Sequence, residues 1–134
     1  MIESAAEFYR LRSSEDPEEY GRAAREEAPE SVWMEVISLY PDMKKWVAHN
    51  KSVPVQVLAI LAADPDWRVR FMVASKRKLP EHLQLDLARD TDVGIRLRVA
   101  CNAKATRLVL QFLAEDEDEE VRDRARSRLA IALD

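Results

Sequence analysis

The stretch Leu61-Ala62-Ala63-Asp64-Pro65-Asp66-Trp67-Arg68-Val69-Arg70 decides the fold, because it comes back twice. Leu87-Ala88-Arg89-Asp90-Thr91-Asp92-Val93-Gly94-Ile95-Arg96 and Leu113-Ala114-Glu115-Asp116-Glu117-Asp118-Glu119-Glu120-Val121-Arg122 align with it without a gap, at a step of 26 residues (61, 87, 113). Six columns keep one residue type through the three copies: Leu, Ala, Asp, Asp, a β-branched residue and Arg. Outward from this stretch, Pro54 maps to Pro80, Val57 to Leu83 and Val109, and Val47-Ala48 to Val73-Ala74 and Val99-Ala100. Residues 29–49 carry a degenerate earlier copy, with Val32 and Val36-Ile37 for its first helix and Tyr40-Pro41-Asp42-Met43-Lys44 for its turn. Self-similarity at one fixed period is the mark of a repeat architecture.

Each unit reads as helix–turn–helix. Pro54 and Pro80 are placed in a first helical turn, where a missing N–H costs nothing. Apolar residues then follow at helical spacing: Val57, Leu58, Leu61 and Ala62, then Leu83, Leu87 and Ala88. The Asp-x-Asp turn ends that helix and caps the next, whose inner face is Val69, Val73 and Ala74. No stretch alternates with period two, so strands are not expected. Two short helices cannot bury both their faces alone, so neighbouring units must stack into a solenoid. A single domain over 1–134 is expected: a cap at 1–28, the degenerate unit at 29–53, and repeats at 54–79, 80–105 and 106–134. The cap reads as two helices, the second announced by Asp16-Pro17-Glu18-Glu19.

The spacing Pro54…Asp64…Val69-Arg70, repeated as Pro80…Asp90…Ile95-Arg96, resembles the HEAT repeat. The phrases Val47-Ala48-His49-Asn50-Lys51-Ser52-Val53-Pro54 and Val99-Ala100-Cys101-Asn102 are similar to its short bacterial relative, the leucine-rich-repeat variant. The resemblance implies an all-α, right-handed α-solenoid of short hairpins. It also implies second helices lining a concave face, and Asp and Arg tying the turns of successive repeats. Two positions depart from it: Lys76 replaces the Asn of the other units, and Thr106 replaces the proline.

Composition closes many chemistries. Of 134 residues only Gly21 and Gly94 are glycine, so no glycine-rich phosphate loop can be built. A lone cysteine, Cys101, excludes an intrachain disulfide and any multi-cysteine metal site, and His49 and His82 form no H-E-x-x-H motif. The expectation is a protein without cofactor, metal or catalytic residues, and not an enzyme. The acidic start and the lack of a long apolar run point to a cytoplasmic protein that does not enter membranes.

Because fixed columns build the repeat, the ladder of Asp64, Asp90 and Asp116 with Arg70, Arg96 and Arg122 is assigned to stability. Columns that vary are the candidates for binding. Trp46, Met72, Arg98 and Arg124 form one, with His49 and Cys101 a turn onward and Phe71 beside it; Trp67, Arg68 and Lys76 complete the set. Aromatic and Arg anchors are what protein interfaces favour. Charge is uneven: residues 1–45 hold 6 Lys+Arg against 11 Asp+Glu, 46–108 hold 11 against 6, and 109–134 hold 4 against 8. The basic middle suits an acidic protein surface or nucleic acid, although acidic flanks and a sequence pI near 5.3 count against the latter. The leading expectation is a binding module for one protein partner, in the manner of immunity proteins that block a toxin. The alternatives are a nucleic-acid-binding or DNA-glycosylase-like HEAT protein, an assembly adaptor, and a bilin-lyase-like chaperone. Oligomeric state is left open.

Overall fold

The computed structural model describes residues 1–133, with side chains as far as Ile131, and every regular element among them is helical. Ten α-helices follow in order: α1 Ala5–Ser13, α2 Pro17–Arg25, α3 Glu30–Leu39, α4 Lys44–His49, α5 Val55–Ala62, α6 Trp67–Ala74, α7 Glu81–Ala88, α8 Val93–Cys101, α9 Arg107–Leu113 and α10 Glu119–Leu133. A 3-10 turn, Pro41–Met43, leads into α4. The chain forms two compact units, Met1–Ala63 and the residues from Asp64 onward.

In the first unit the first two helices start on capping side chains. Ser4 Oγ accepts the Glu7 N–H at 3.0 Å to begin α1, and Asp16 Oδ1 accepts the Glu18 N–H at 3.0 Å to begin α2, with Pro17 at the first helical position. The two expected helices of residues 1–28 are therefore present, and α1 packs on both α2 and α3. Phe8, Leu11, Trp33, Val36, Val47 and Leu61 are fully buried, and Phe8 meets Trp33 edge-on with ring centroids 5.2 Å apart. Asn50, fully buried after α4, closes this unit through its side chain. Its Nδ2 donates to the carbonyls of Ala23 (2.8 Å) and Glu26 (3.0 Å), while its Oδ1 accepts the Ser52 N–H at 2.7 Å.

In the second unit α8 packs against α6 and α10 on one layer, and α7 against α9 on the other. Val73, Leu87, Ile95, Val99, Val109, Leu113 and Val121 lie between them, all essentially inaccessible. The Asp-x-Asp turns are built as expected. The first Asp accepts the N–H of the second (Asp64 from Asp66 and Asp90 from Asp92, each 2.9 Å; Asp116 from Asp118, 2.8 Å). The second then caps the next helix: Asp66 accepts from Arg68 at 2.9 Å, Asp92 from Gly94 at 2.8 Å and Asp118 from Val121 at 3.0 Å.

The arginines tie successive turns. Arg70 Nε donates to Asp90 Oδ2 at 2.8 Å and its Nη1 to the Asp64 carbonyl at 2.9 Å. Twenty-six positions on, Arg96 Nε donates to Asp116 Oδ2 at 2.9 Å and its Nη1 to the Asp90 carbonyl at 2.9 Å. A second tie uses the Asn column. Asn102 Nδ2 donates to the Lys76 carbonyl at 2.7 Å while its Oδ1 accepts the Lys104 N–H, and Arg128 Nη1 donates to the Asn102 carbonyl at 2.5 Å.

Proline placement differs from the sequence reading by one residue. Pro54 and Pro80 sit at the cap, with ψ of 154° and 147°, and the helices begin at Val55 and Glu81. Extended ψ there turns the chain into the helix, and the missing proline N–H lies outside it. Thr106 takes that place before α9, its Oγ1 accepting the Val109 N–H at 3.3 Å.

Candidate functional site

Helices α6 and α8 of the second unit bring aromatic and cationic side chains together at the surface. Asp66 caps α6 and so places Trp67 and Arg68 in its first turn, where no preceding helical turn covers them. Trp67 is 47% exposed and meets Phe71, one turn on, edge to face at 6.4 Å. The Arg68 guanidinium lies 5.1 Å from the Trp67 ring and that of Arg98, from α8, lies 5.9 Å from the Phe71 ring. Arg98 Nε donates to Ser75 Oγ at 3.1 Å, which fixes its direction along the two helices. Beside it a shallow depression of about 290 Å³ is lined by Ser75, Arg77, Arg98 and Cys101. Neither helix carries an Asp or Glu, so Arg68, Arg77 and Arg98 dominate the charge of this face. Two carboxylates stand at its N-terminal caps: Asp66 at α6, 3.5 Å from Arg68, and Asp92 at α8, which accepts the Gly94 N–H.

Four of the sequence candidates, Trp67, Arg68, Phe71 and Arg98, are thus brought together. Met72 is half-buried on the same helix. Lys76, after α6, is mostly withdrawn from solvent, and burial pushes its ammonium down to about pKa 8. Arg124 lies elsewhere, on α10, in an acidic hollow with Asp118, Glu119, Glu120 and Asp123. Trp46 and His49 belong to the first unit and meet each other edge-on at 5.7 Å.

In the first unit lies a concavity that the sequence reading did not single out. The Arg12 guanidinium, from the last turn of α1, lies over Trp46, 3.5 Å from the ring centroid, with the Tyr20 ring of α2 at 5.8 Å. Together with His49 they line a recess of about 490 Å³. The one available signal was the 26-residue column itself, since Tyr20 precedes Trp46 by that step. Arg12 lies on a helix whose neighbours in space no spacing rule gives.

Elsewhere the chemistry is structural. Two rungs of the expected Asp/Arg ladder, Arg70–Asp90 and Arg96–Asp116, are consumed by their own hydrogen bonds, whereas Arg122 meets only Asp123, at 3.9 Å, among the described residues. The neighbouring carboxylates raise the Arg70 and Arg96 guanidinia further above their ordinary value. Cys101 and His82 lie on different helices, and among the described residues no cluster of His, Cys, Asp and Glu is gathered that could hold a metal ion. No helix of the described residues is long and apolar enough to cross a membrane. Compared with protein-family models, with curated proteins and with solved structures, the chain matches none.

Proposed function

We propose that the chain is a non-enzymatic helical-repeat protein that binds an acidic protein partner through the α6/α8 face. The observation that carries this reading is the Trp67–Phe71 pair flanked by Arg68 and Arg98 on two helices free of carboxylates. Exposed aromatic and Arg side chains supply most of the binding energy in protein interfaces, and unpaired cations speed encounter with an acidic surface. The reading of the hairpins as HEAT-like units of an α-solenoid is supported by the Arg70–Asp90 and Arg96–Asp116 ties, which recur at the sequence period. Within that reading, the family resemblance favours a toxin as the partner and an immunity protein as the role.

Nucleic acid is the second reading. Arg77, Lys78, Lys104 and Arg107 are exposed cations that form no ion pair among the described residues. Two experiments separate the readings. The protein is used to capture partners from its native host beside a Trp67→Ala/Phe71→Ala/Arg98→Glu variant whose helicity is verified by circular dichroism. A partner held by the wild type and released by the variant is expected; equal capture by both rejects the α6/α8 assignment. Duplex DNA binding that weakens steeply between low and physiological salt would instead support the second reading.

A further inference from the structure

We propose that the recess of the first unit is a binding site for a monocarboxylate, with Arg12 as its anion-recognising group. Arg12 is half-buried, and its guanidinium makes no hydrogen bond or ion pair with any described residue; its Nε is closed off from solvent with no acceptor. Each of the other partly buried arginines has a polar partner: Arg22 pairs with Glu26 and Glu7, Arg70 with Asp90 and Arg96 with Asp116, Arg128 donates to the Ala100 and Asn102 carbonyls, and Arg122 lies 3.9 Å from Asp123. A half-buried guanidinium whose donors have no acceptor is a group that an oxyanion in the recess would satisfy.

The recess has the shape and lining for such a ligand. Its volume, about 490 Å³, falls in the range of roughly 300–1,000 Å³ occupied by small-molecule sites. No Asp or Glu lines it, although residues 1–45 hold 11 of them against 6 Lys+Arg. Trp46 covers the guanidinium from one side, its ring centroid 3.5 Å from Cζ, a cation–π contact that favours one placement of the charged head before a ligand arrives. Ala23, Ala24 and Tyr20 supply apolar walls, and Gly21, one of the two glycines, lies inside α2 at the rim. A glycine in a helix interior costs about 1 kcal/mol relative to alanine, and here the room a side chain would take is filled by the Arg25 guanidinium, whose Nη1 lies 2.8 Å from where a Cβ would stand. The chemistry selects one negative charge. Arg12 is the only arginine or lysine of the lining, and the Ser14 hydroxyl is committed to Glu19 at 3.0 Å. A phosphate dianion calls for several donors, and the acidic surroundings disfavour it further. A planar carboxylate with a flat or apolar body matches the fork and the walls.

The test follows the Arg12 Nε–H and the Trp46 indole signals by NMR in the full-length protein, with Arg12→Lys and Trp46→Phe spectra giving the assignments. Sodium benzoate, neutral benzamide and sodium phosphate are titrated separately. Benzoate is expected to shift both signals with a Kd of about 1 mM, benzamide to leave the Arg12 signal in place, and phosphate to bind at least about tenfold more weakly. Arg12→Gln is expected to weaken benzoate at least about tenfold, with the Trp33 and Phe8 resonances unchanged to show an intact core. An Arg12 signal unmoved by benzoate, equal shifts with benzamide, or tighter binding of phosphate would overturn the proposal. Two peptides ending in phenylalanine, one with a free carboxylate and one amidated, identify the source. Tighter binding of the free form than of benzoate assigns a chain terminus, and weaker binding a free acid; either upholds carboxylate recognition.

Discussion

Replacing Arg96 by methionine removes the guanidinium while keeping an apolar stem of similar reach. The wild-type side chain is 11% exposed and donates to Asp116 Oδ2 at 2.9 Å, to Asp116 Oδ1 at 3.4 Å and to the Asp90 carbonyl at 2.9 Å. Asp116, 7% exposed, would then keep only the Asp118 N–H at 2.8 Å. Breaking one side of a buried pair costs about 3–5 kcal/mol; the surviving Asp116 bond and the retained stem place Arg96→Met near the lower end. That is a large share of the roughly 5–15 kcal/mol that holds a domain together, and it lowers Tm by about 10 °C at this chain length. Asp116→Asn preserves the acceptor for Asp118 and removes the charge, at about 1–2 kcal/mol. The double variant leaves no stranded carboxylate, so its loss falls short of the sum by about 2 kcal/mol. Urea unfolding of the four proteins, followed by circular dichroism, measures the cycle. Additivity within about 0.5 kcal/mol, or a cost below about 1 kcal/mol for Arg96→Met, would refute the assignment of this pair as a buried tie.

Lys76 gives a pH signature. Burial lowers its pKa from 10.5 to about 8, so between those values the folded state holds fewer protons than the unfolded one. Stability contributed by this group therefore rises as pH climbs from about 8 toward 10.5 and is lowest below 8, where both states are charged. Urea midpoints across that window should climb in the wild type more than in Lys76→Met; parallel slopes would contradict the burial. Trp33 is fully buried with an Nε1–H that has no acceptor. Trp33→Phe removes that unpaired donor, worth about 1–3 kcal/mol, against a similar loss of ring packing. A net change within about 1 kcal/mol is expected in urea unfolding, and a loss above about 3 kcal/mol would show that the N–H is paired after all.

The helices were legible because their signals are local. Asp16, Asp66 and Asp92 cap where the sequence places caps, since a capping side chain reaches only two or three residues along its own chain. Recurrence of Asp and Arg at fixed columns marks both as structural, and the resemblance to the HEAT repeat implies the tie between successive turns that Arg70 and Asp90 make. Binding residues are harder to read. Phe71 and Met72 are neighbours on α6 and both half-buried, so periodicity could not say which belongs to the interface. Arg124 shares a column with Arg98 but sits among Asp118, Glu119, Glu120 and Asp123, so the column alone does not fix the electrostatic setting. Arg12 illustrates the remaining gap: its significance is an absence of partners and a stacking across three helices, which no spacing along the chain encodes.

The Asn102 and Arg128 ties end on main-chain carbonyls, those of Lys76, Ala100 and Asn102. A carbonyl offers the same acceptor whatever side chain its residue bears, so the address these side chains read is a position and not an identity. Growth of such a chain is thereby quantised. An in-frame duplication of residues 80–105 would present, at its one new junction, an acceptor of the kind Asn102 now uses and an Asp of the kind Arg70 now uses. Gene lengths differing by whole hairpins are what this bonding scheme tolerates, while a duplication out of step with the hairpin would leave buried donors such as the Asn102 amide without acceptors.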